Sequence, residues 1–188
     1  MISLDERFKD LRDQLGQPAT LNPAKSDPIF YFVYPVSQML DLKRRIPIWS
    51  AQLRNEGFDV HRISLSELLW QLVDESGRYE AWLELEAGAD VEQINEAVRD
   101  VLRSEDRLVD EVATRIGQVT GQSIVLLTDT EMLHPYFRTR AIESKLHDRV
   151  QVPTVIFYPG RRSGQYGLHF LEFYPVDGNY RSTLIGGA

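Results

Sequence analysis

Two uninterrupted apolar runs, Ser-Ile-Val-Leu-Leu-Thr at 123–128 and Val-Pro-Thr-Val-Ile-Phe-Tyr at 152–158, flank a segment with helical spacing from Pro135 to His147. Leucine-rich and β-branched runs that do not alternate with polar residues suit strands covered on both faces. That confines them to a parallel sheet with helices above and below. The three pieces together read as a βαβ unit. In open sheets of this kind the crevice for a ligand or partner lies beyond the carboxyl ends of the strands. Here that edge would gather Thr128, Asp129, Glu131, Tyr158, Arg161 and Arg162.

The remaining chain extends this unit in order. Leu4, Phe8, Leu11 and Leu15 recur at helical spacing and predict a docked first helix, followed by a proline-bearing loop over 16–28. Ile-Phe-Tyr-Phe-Val-Tyr at 29–34 predicts an aromatic central strand that Pro35 ends. Tyr31 and Val33 should face one helical layer, and Phe30, Phe32 and Tyr34 the other, because side chains alternate along a strand. A helix over 37–56 contains Pro47, which removes a donor and should kink or restart it, and Gly57 closes it. A second strand is expected over 58–63. Ser64 and Glu67 then have capping-box spacing ahead of Leu68, Leu69 and Trp70.

Residues 78–120 show no strand signal. Val91, Ile94, Val98, Val101 and Leu102, then Leu108, Val109, Val112 and Ile116, repeat at helical spacing, with Asp90 and Ser104 as candidate N-caps. Runs at 168–174 and 180–185 flank Pro-Val-Asp-Gly-Asn and predict a closing hairpin. The expected fold is α/β and three-layered: a mainly parallel sheet with helices on both faces and an antiparallel C-terminal edge hairpin, forming one domain over 1–188.

Composition removes several function classes. A chain of 188 residues, 43% hydrophobic and 26% charged, can bury one sizeable core. Its net charge of -7 argues against nucleic-acid binding by the whole surface and leaves only a local arginine patch or an indirect route to DNA. Charge is uneven: residues 77–120 carry five Arg against eleven acids, whereas residues 121–188 carry seven basic and six acidic groups. The acidic helices read as a solvated exterior or as a docking face for a basic partner. With no cysteine, disulfides, thiol nucleophiles and thiolate metal sites are absent together, which fits a reducing cytoplasm. The first residues are too polar for a signal peptide, and no apolar run approaches the roughly 20 residues that cross a bilayer. The expectation is a cytoplasmic protein with no membrane contact.

No catalytic set emerges. A P-loop requires a glycine-rich turn with Lys and Ser or Thr after a strand, and Tyr-Pro-Val-Ser-Gln follows the first strand instead. Asp129 ends an apolar strand where a magnesium-holding acid would sit, but an Asp there also serves to cap a helix or bind a loop. His61, His134, His147 and His169 lack metal-ligand spacing, and Ser123, Ser163 and Ser182 lack a nucleophile-elbow context. No cofactor, metal or catalytic residue is therefore assigned. What remains is a set suited to a partner's carboxylate or phosphate: Tyr34, Asp129, Tyr158, Arg161 and Arg162, with Arg138 and Arg140 nearby. Arg138 and Arg140 could instead pair with Glu131 and Glu143 along their own segment. Lys43, Arg44 and Arg45 form a short basic run that reads as a solvated helix face or a contact for an acidic group.

Several stretches together resemble the BrxB family of BREX bacteriophage-exclusion systems. They are Phe-Tyr-Phe-Val-Tyr at 30–34, Arg-Arg-Ile-Pro at 44–47, Ser-Glu-Leu-Leu-Trp at 66–70, 127–137 with its His134-Pro135, 152–160, and Asn-Tyr-Arg at 179–181. The resemblance runs over nearly the whole chain and implies a small, noncatalytic component of an antiphage system. It would work through other BREX proteins, a methyltransferase or a large ATPase component. The alternative from another class is a degenerate nucleotide-binding or phosphoesterase-like enzyme that uses Asp129 and Glu131.

Overall fold

The computed structural model describes residues 2–17, 28–146, 149–164, 167–178 and 182–186. His147, residues 165–166 and residues 179–181 of the expected hairpin lie outside that range. Helix α1 (Leu4–Leu15) opens with a capping box in which Ser3 accepts from the Glu6 N–H and Glu6 reaches back to Ser3. Strand β1 (Ile29–Tyr34) follows, then a 3-10 turn at Val36–Gln38 that leads into helix α2 (Met39–Asn55). Pro47 lies inside α2 without ending or restarting it. The proline sits on the exposed face, so the Lys43 carbonyl it leaves without a helical donor can turn to water.

Strand β2 (Asp59–Ser64) leads directly into α3 (Leu65–Glu75), with Ser64 accepting from the Glu67 N–H at 3.3 Å. Only this half of the expected box is made, because Glu67 lies 3.4 Å from Arg62 instead. The stretch without strand signal forms α4 (Tyr79–Leu85), α5 (Val91–Arg103) and α6 (Arg107–Gly117). Asp90 caps α5 in a full capping box with Gln93, whereas Ser104 begins a 3-10 turn and caps no long helix. Strand β3 (Ser123–Thr128), helix α7 (Thr139–Leu146) and strand β4 (Thr154–Ser163) complete the βαβ unit, and β5 (Gly167–Phe170) and β6 (Thr183–Gly186) end the chain.

The main sheet has the order β2-β3-β4-β1-β6, and every pairing in it is parallel. The antiparallel element is at the carboxyl end of β4, where Gly160 to Ser163 pair with Phe170 to Gly167. The expected hairpin partners thus separate: β5 folds back on β4, and β6 crosses to run parallel beside β1. Gly160 permits the change, since a Cβ there would meet the His169 carbonyl oxygen at 2.1 Å.

Two cores cover the two faces. On one, α1 and α2 bring Phe8, Leu42, Ile46 and Trp49 onto Phe30, Phe32, Tyr34 and Phe157. Trp49 stacks on Phe8 at 4.4 Å between ring centroids, and Phe32 lies 5.3 Å from Phe157. On the other, α3, α6 and α7 bring Leu68, Val112 and Ile142 onto Tyr31, Val33, Val125 and Ile156. The alternation expected for residues 30–34 is therefore observed, and the three-layer α/β architecture with it. No helix among the described residues is long and apolar enough to cross a membrane.

Candidate functional site

Parallel strands place their carboxyl ends together, and the residues there form one network. Asp129, directly after β3, takes a left-handed backbone conformation (φ 60°) that short polar side chains tolerate. Its Oδ2 accepts from Ser64 Oγ at 2.7 Å, Thr128 Oγ1 at 2.9 Å and Arg62 Nη2 at 3.1 Å. Lys43 Nζ, reaching in from α2, lies 2.9 Å from Asp129 Oδ1 and 2.5 Å from Glu131 Oε1. Ser64 thus does two things at once: its oxygen caps α3 while its hydrogen ties β2 to Asp129. Arg62 also donates to Thr128 Oγ1 at 3.1 Å, so the ends of β2 and β3 are joined twice.

Electrostatics follow from this packing. Burial opposes ionisation of Asp129, yet the hydrogen bonds from Ser64, Lys43 and Thr128, with the Lys43 charge, outweigh it and hold the carboxyl at about 2. Burial also opposes the Lys43 charge, and contacts with Glu131 and Asp129 overcome it and raise the ammonium pKa. Tyr34 lies in the core, where burial, then the Glu131 and Asp129 charges, push its hydroxyl upward. It stays a neutral phenol. Two carboxylates facing one ammonium and one guanidinium form a nearly neutral cluster. Among the described residues, no group of three or more His, Cys, Asp or Glu side chains is placed to hold a metal ion.

The sequence-predicted residues divide into separate groups. Tyr34 and Asp129 are neighbours. Tyr158 is buried on the other face, against Tyr31 at 5.6 Å and Phe170 at 5.4 Å. Arg161 is exposed and Arg162 partly so, opposite His169 and Leu168 on the antiparallel extension. Because Leu127 pairs with Ile156, Asp129 is level with Tyr158, and Arg161 lies three residues farther along β4, about 10 Å beyond that level at ~3.3 Å per residue. Neither arginine makes an ion pair among the described residues. Arg138 lies 3.4 Å above the Tyr174 ring, and Arg140 pairs with Asp177 at 2.8 Å. Their partners are thus in the turn after β5, not Glu131 and Glu143. Glu143 instead accepts from Tyr31 at 3.3 Å.

Sequence reasoning missed Arg62 and gave Lys43 the wrong company. Spacing cannot find such a cluster, because the register that brings α2 over β3 is fixed by Leu42, Ile46 and Trp49 entering the core. One signal was available: three polar residues, Ser64, Thr128 and Asp129, all fall at the carboxyl ends of the adjacent strands β2 and β3.

Comparison with known proteins adds a family. Neither a curated protein nor a solved structure matches the chain. Residues 61–185, well over half of the chain, match a family model described as BREX protein BrxB.

Proposed function

Since the chain belongs to the BrxB family and is a component of a BREX system, we propose that it serves that system by binding protein partners and carries out no reaction of its own. One observation carries the reading. At the carboxyl edge, where an open α/β fold normally places its chemistry, Asp129 is held by both Lys43 and Arg62 and Glu131 Oε1 lies against Lys43, while the buried Glu131 Oε2 has no hydrogen-bond partner among the described residues. A carboxylate held at about 2 by Ser64, Lys43 and Thr128 is a poor general base near neutral pH, and a hydroxyl that both caps a helix and donates to that carboxylate is a poor nucleophile. The glycine-rich phosphate cradle that a nucleotide-binding reading of Asp129 and Glu131 calls for has no counterpart after β1, where Pro35-Val36-Ser37-Gln38 follow. Exposed Arg161, with Arg162 beside it, suits an acidic or phosphate-bearing group on a partner, and the methyltransferase and the large ATPase of the same system are the partners to try first.

Co-expression of the tagged chain with each of those proteins tests the proposal. At least one should copurify in fixed proportion through gel filtration, and the isolated chain should give no heat on titration with Mg-ATP. Elution of the chain alone from every combination would overturn the binding reading. Micromolar ATP affinity that disappears in Asp129→Ala would replace it with the nucleotide-binding one.

A further inference from the structure

Helix α4 is poorly anchored: none of its residues is fully buried, although four of its seven side chains are Tyr79, Trp82, Leu83 and Leu85, and of these Trp82 packs half-buried against the core. Seven residues are too few for a helix to hold itself together in water. Together with α3 and α5 it walls a groove of about 760 Å³, floored by Leu69 and Val73 and flanked by Trp70, Trp82, Leu83 and Ile94. The walls are wet: Trp70 is 49% exposed, Leu83 47% and Leu85 66%. An apolar surface of this kind on an otherwise charged helical layer marks an interaction site.

The groove continues the molecule's own packing. The apolar stripe of α5 runs Val91, Ile94, Val98, Val101, Leu102, and its exposure falls from 74% at Val91 through 36% at Ile94 to 4% at Val101. Its carboxyl half is therefore in the core, and its amino half presents the same stripe to solvent. A segment laid along the groove would prolong the core by covering what α3, α4 and α5 leave open.

Charge decides what that segment is. Residues 79–98 contain six acidic side chains, Glu80, Glu84, Glu86, Asp90, Glu92 and Glu96, and no basic one, and all six are exposed. Arg99 offsets Glu92 and Glu96, whereas Glu80, Glu84 and Glu86 make no ion pair among the described residues. A second copy of this surface would set like charge against like, and an anionic membrane would be repelled in the same way. Resting on the partner-binding reading above, we infer that this groove receives an amphipathic helix of a partner protein, its apolar face seated on Trp70, Trp82, Leu83 and Ile94 and its flanks carrying Lys or Arg. Recognition would use anchors at i, i+3 or i+4, and i+7 over about three turns, roughly 16 Å.

The test uses the full chain and whichever protein of the same BREX system copurifies with it. Leu83→Glu combined with Leu85→Glu changes only exposed positions, so the thermal midpoint should hold while affinity falls at least tenfold. Glu80→Lys, Glu84→Lys and Glu86→Lys together should weaken binding about fivefold at low salt, with the gap closing in 0.5 M NaCl. Benzoylphenylalanine introduced at position 83 should crosslink to a helix with basic residues beside its apolar face. Unchanged affinity in the leucine variant overturns the inference and leaves the partner-binding function standing. So does a crosslink to a second copy of this chain or to an acidic segment. If no protein of the system binds the chain at all, both readings fall.

Discussion

Lys43 and Asp129 show how one residue pair organises the carboxyl edge. The lysine comes from a helix, the aspartate from a left-handed turn after β3, and each helps to offset the cost of burying the other's charge. An unfolded aspartate titrates near 3.8 and this one at about 2 when folded. The ionised carboxyl therefore favours the folded state at every pH above about 4, by about 2 kcal/mol, and that contribution is lost as the pH falls through about 2. Asp129→Asn removes the titration while keeping the side chain's shape. Urea unfolding at pH 6 and pH 2.5 should show the wild type losing about 1.5 kcal/mol more than the variant across that interval. Equal losses would mean that the Ser64, Lys43 and Thr128 contacts do not hold the carboxylate in solution.

At the scale of elements, the aromatic strand and the switch in β4 carry the most consequence. Phe32 is fully buried between Trp49 and Phe157, and Phe32→Ala should cost about 3–5 kcal/mol in urea unfolding. A loss below about 1 kcal/mol would mean that the layer formed by α1 and α2 does not pack on β1. Gly160→Ala should cost at least about 2 kcal/mol, because the added carbon meets the backbone of β5, which cannot retreat without breaking its pairing with β4. A neutral effect would place that antiparallel extension apart from the sheet. The sequence made β1, β3 and β4 legible because each is a short unbroken apolar run, and made α5 and α6 legible because their stripes keep helical spacing. The destination of β6 was hidden: residues 180–185 look equally suited to a hairpin with β5 or a place beside β1. Long-range pairing decided it, with Phe30 to Val33 opposite Thr183 to Gly186. Pro47 misled in the other direction, since its cost depends on which face of α2 it occupies. Of the candidate site, only Tyr34 and Asp129 were legible as neighbours, because strand direction alone brings them together. The positions of Lys43 and Arg62 depend on side-chain packing between layers.

Over the whole molecule, charge is divided between two surfaces. The acidic groove walls lie on the α3 to α5 side, and exposed Arg161 lies on the extension of β4, where residues 161–170 hold two arginines and no acid. A net charge of -7 hides this division, and each surface suits a partner group of opposite sign. Arg161→Glu with Arg162→Glu alters one exposed and one half-buried side chain that make no ion pair among the described residues, so thermal stability should change little. If that edge holds an acidic or phosphate-bearing group, phage plating on cells with the complete system should rise to the level of cells lacking this chain. The two surfaces share no residue, so the double reversal should leave binding at the groove within about twofold of wild type, as independent sites do. Full protection in that variant would remove Arg161 and Arg162 from the working surface and leave the groove between α3 and α5 as the face through which the chain acts.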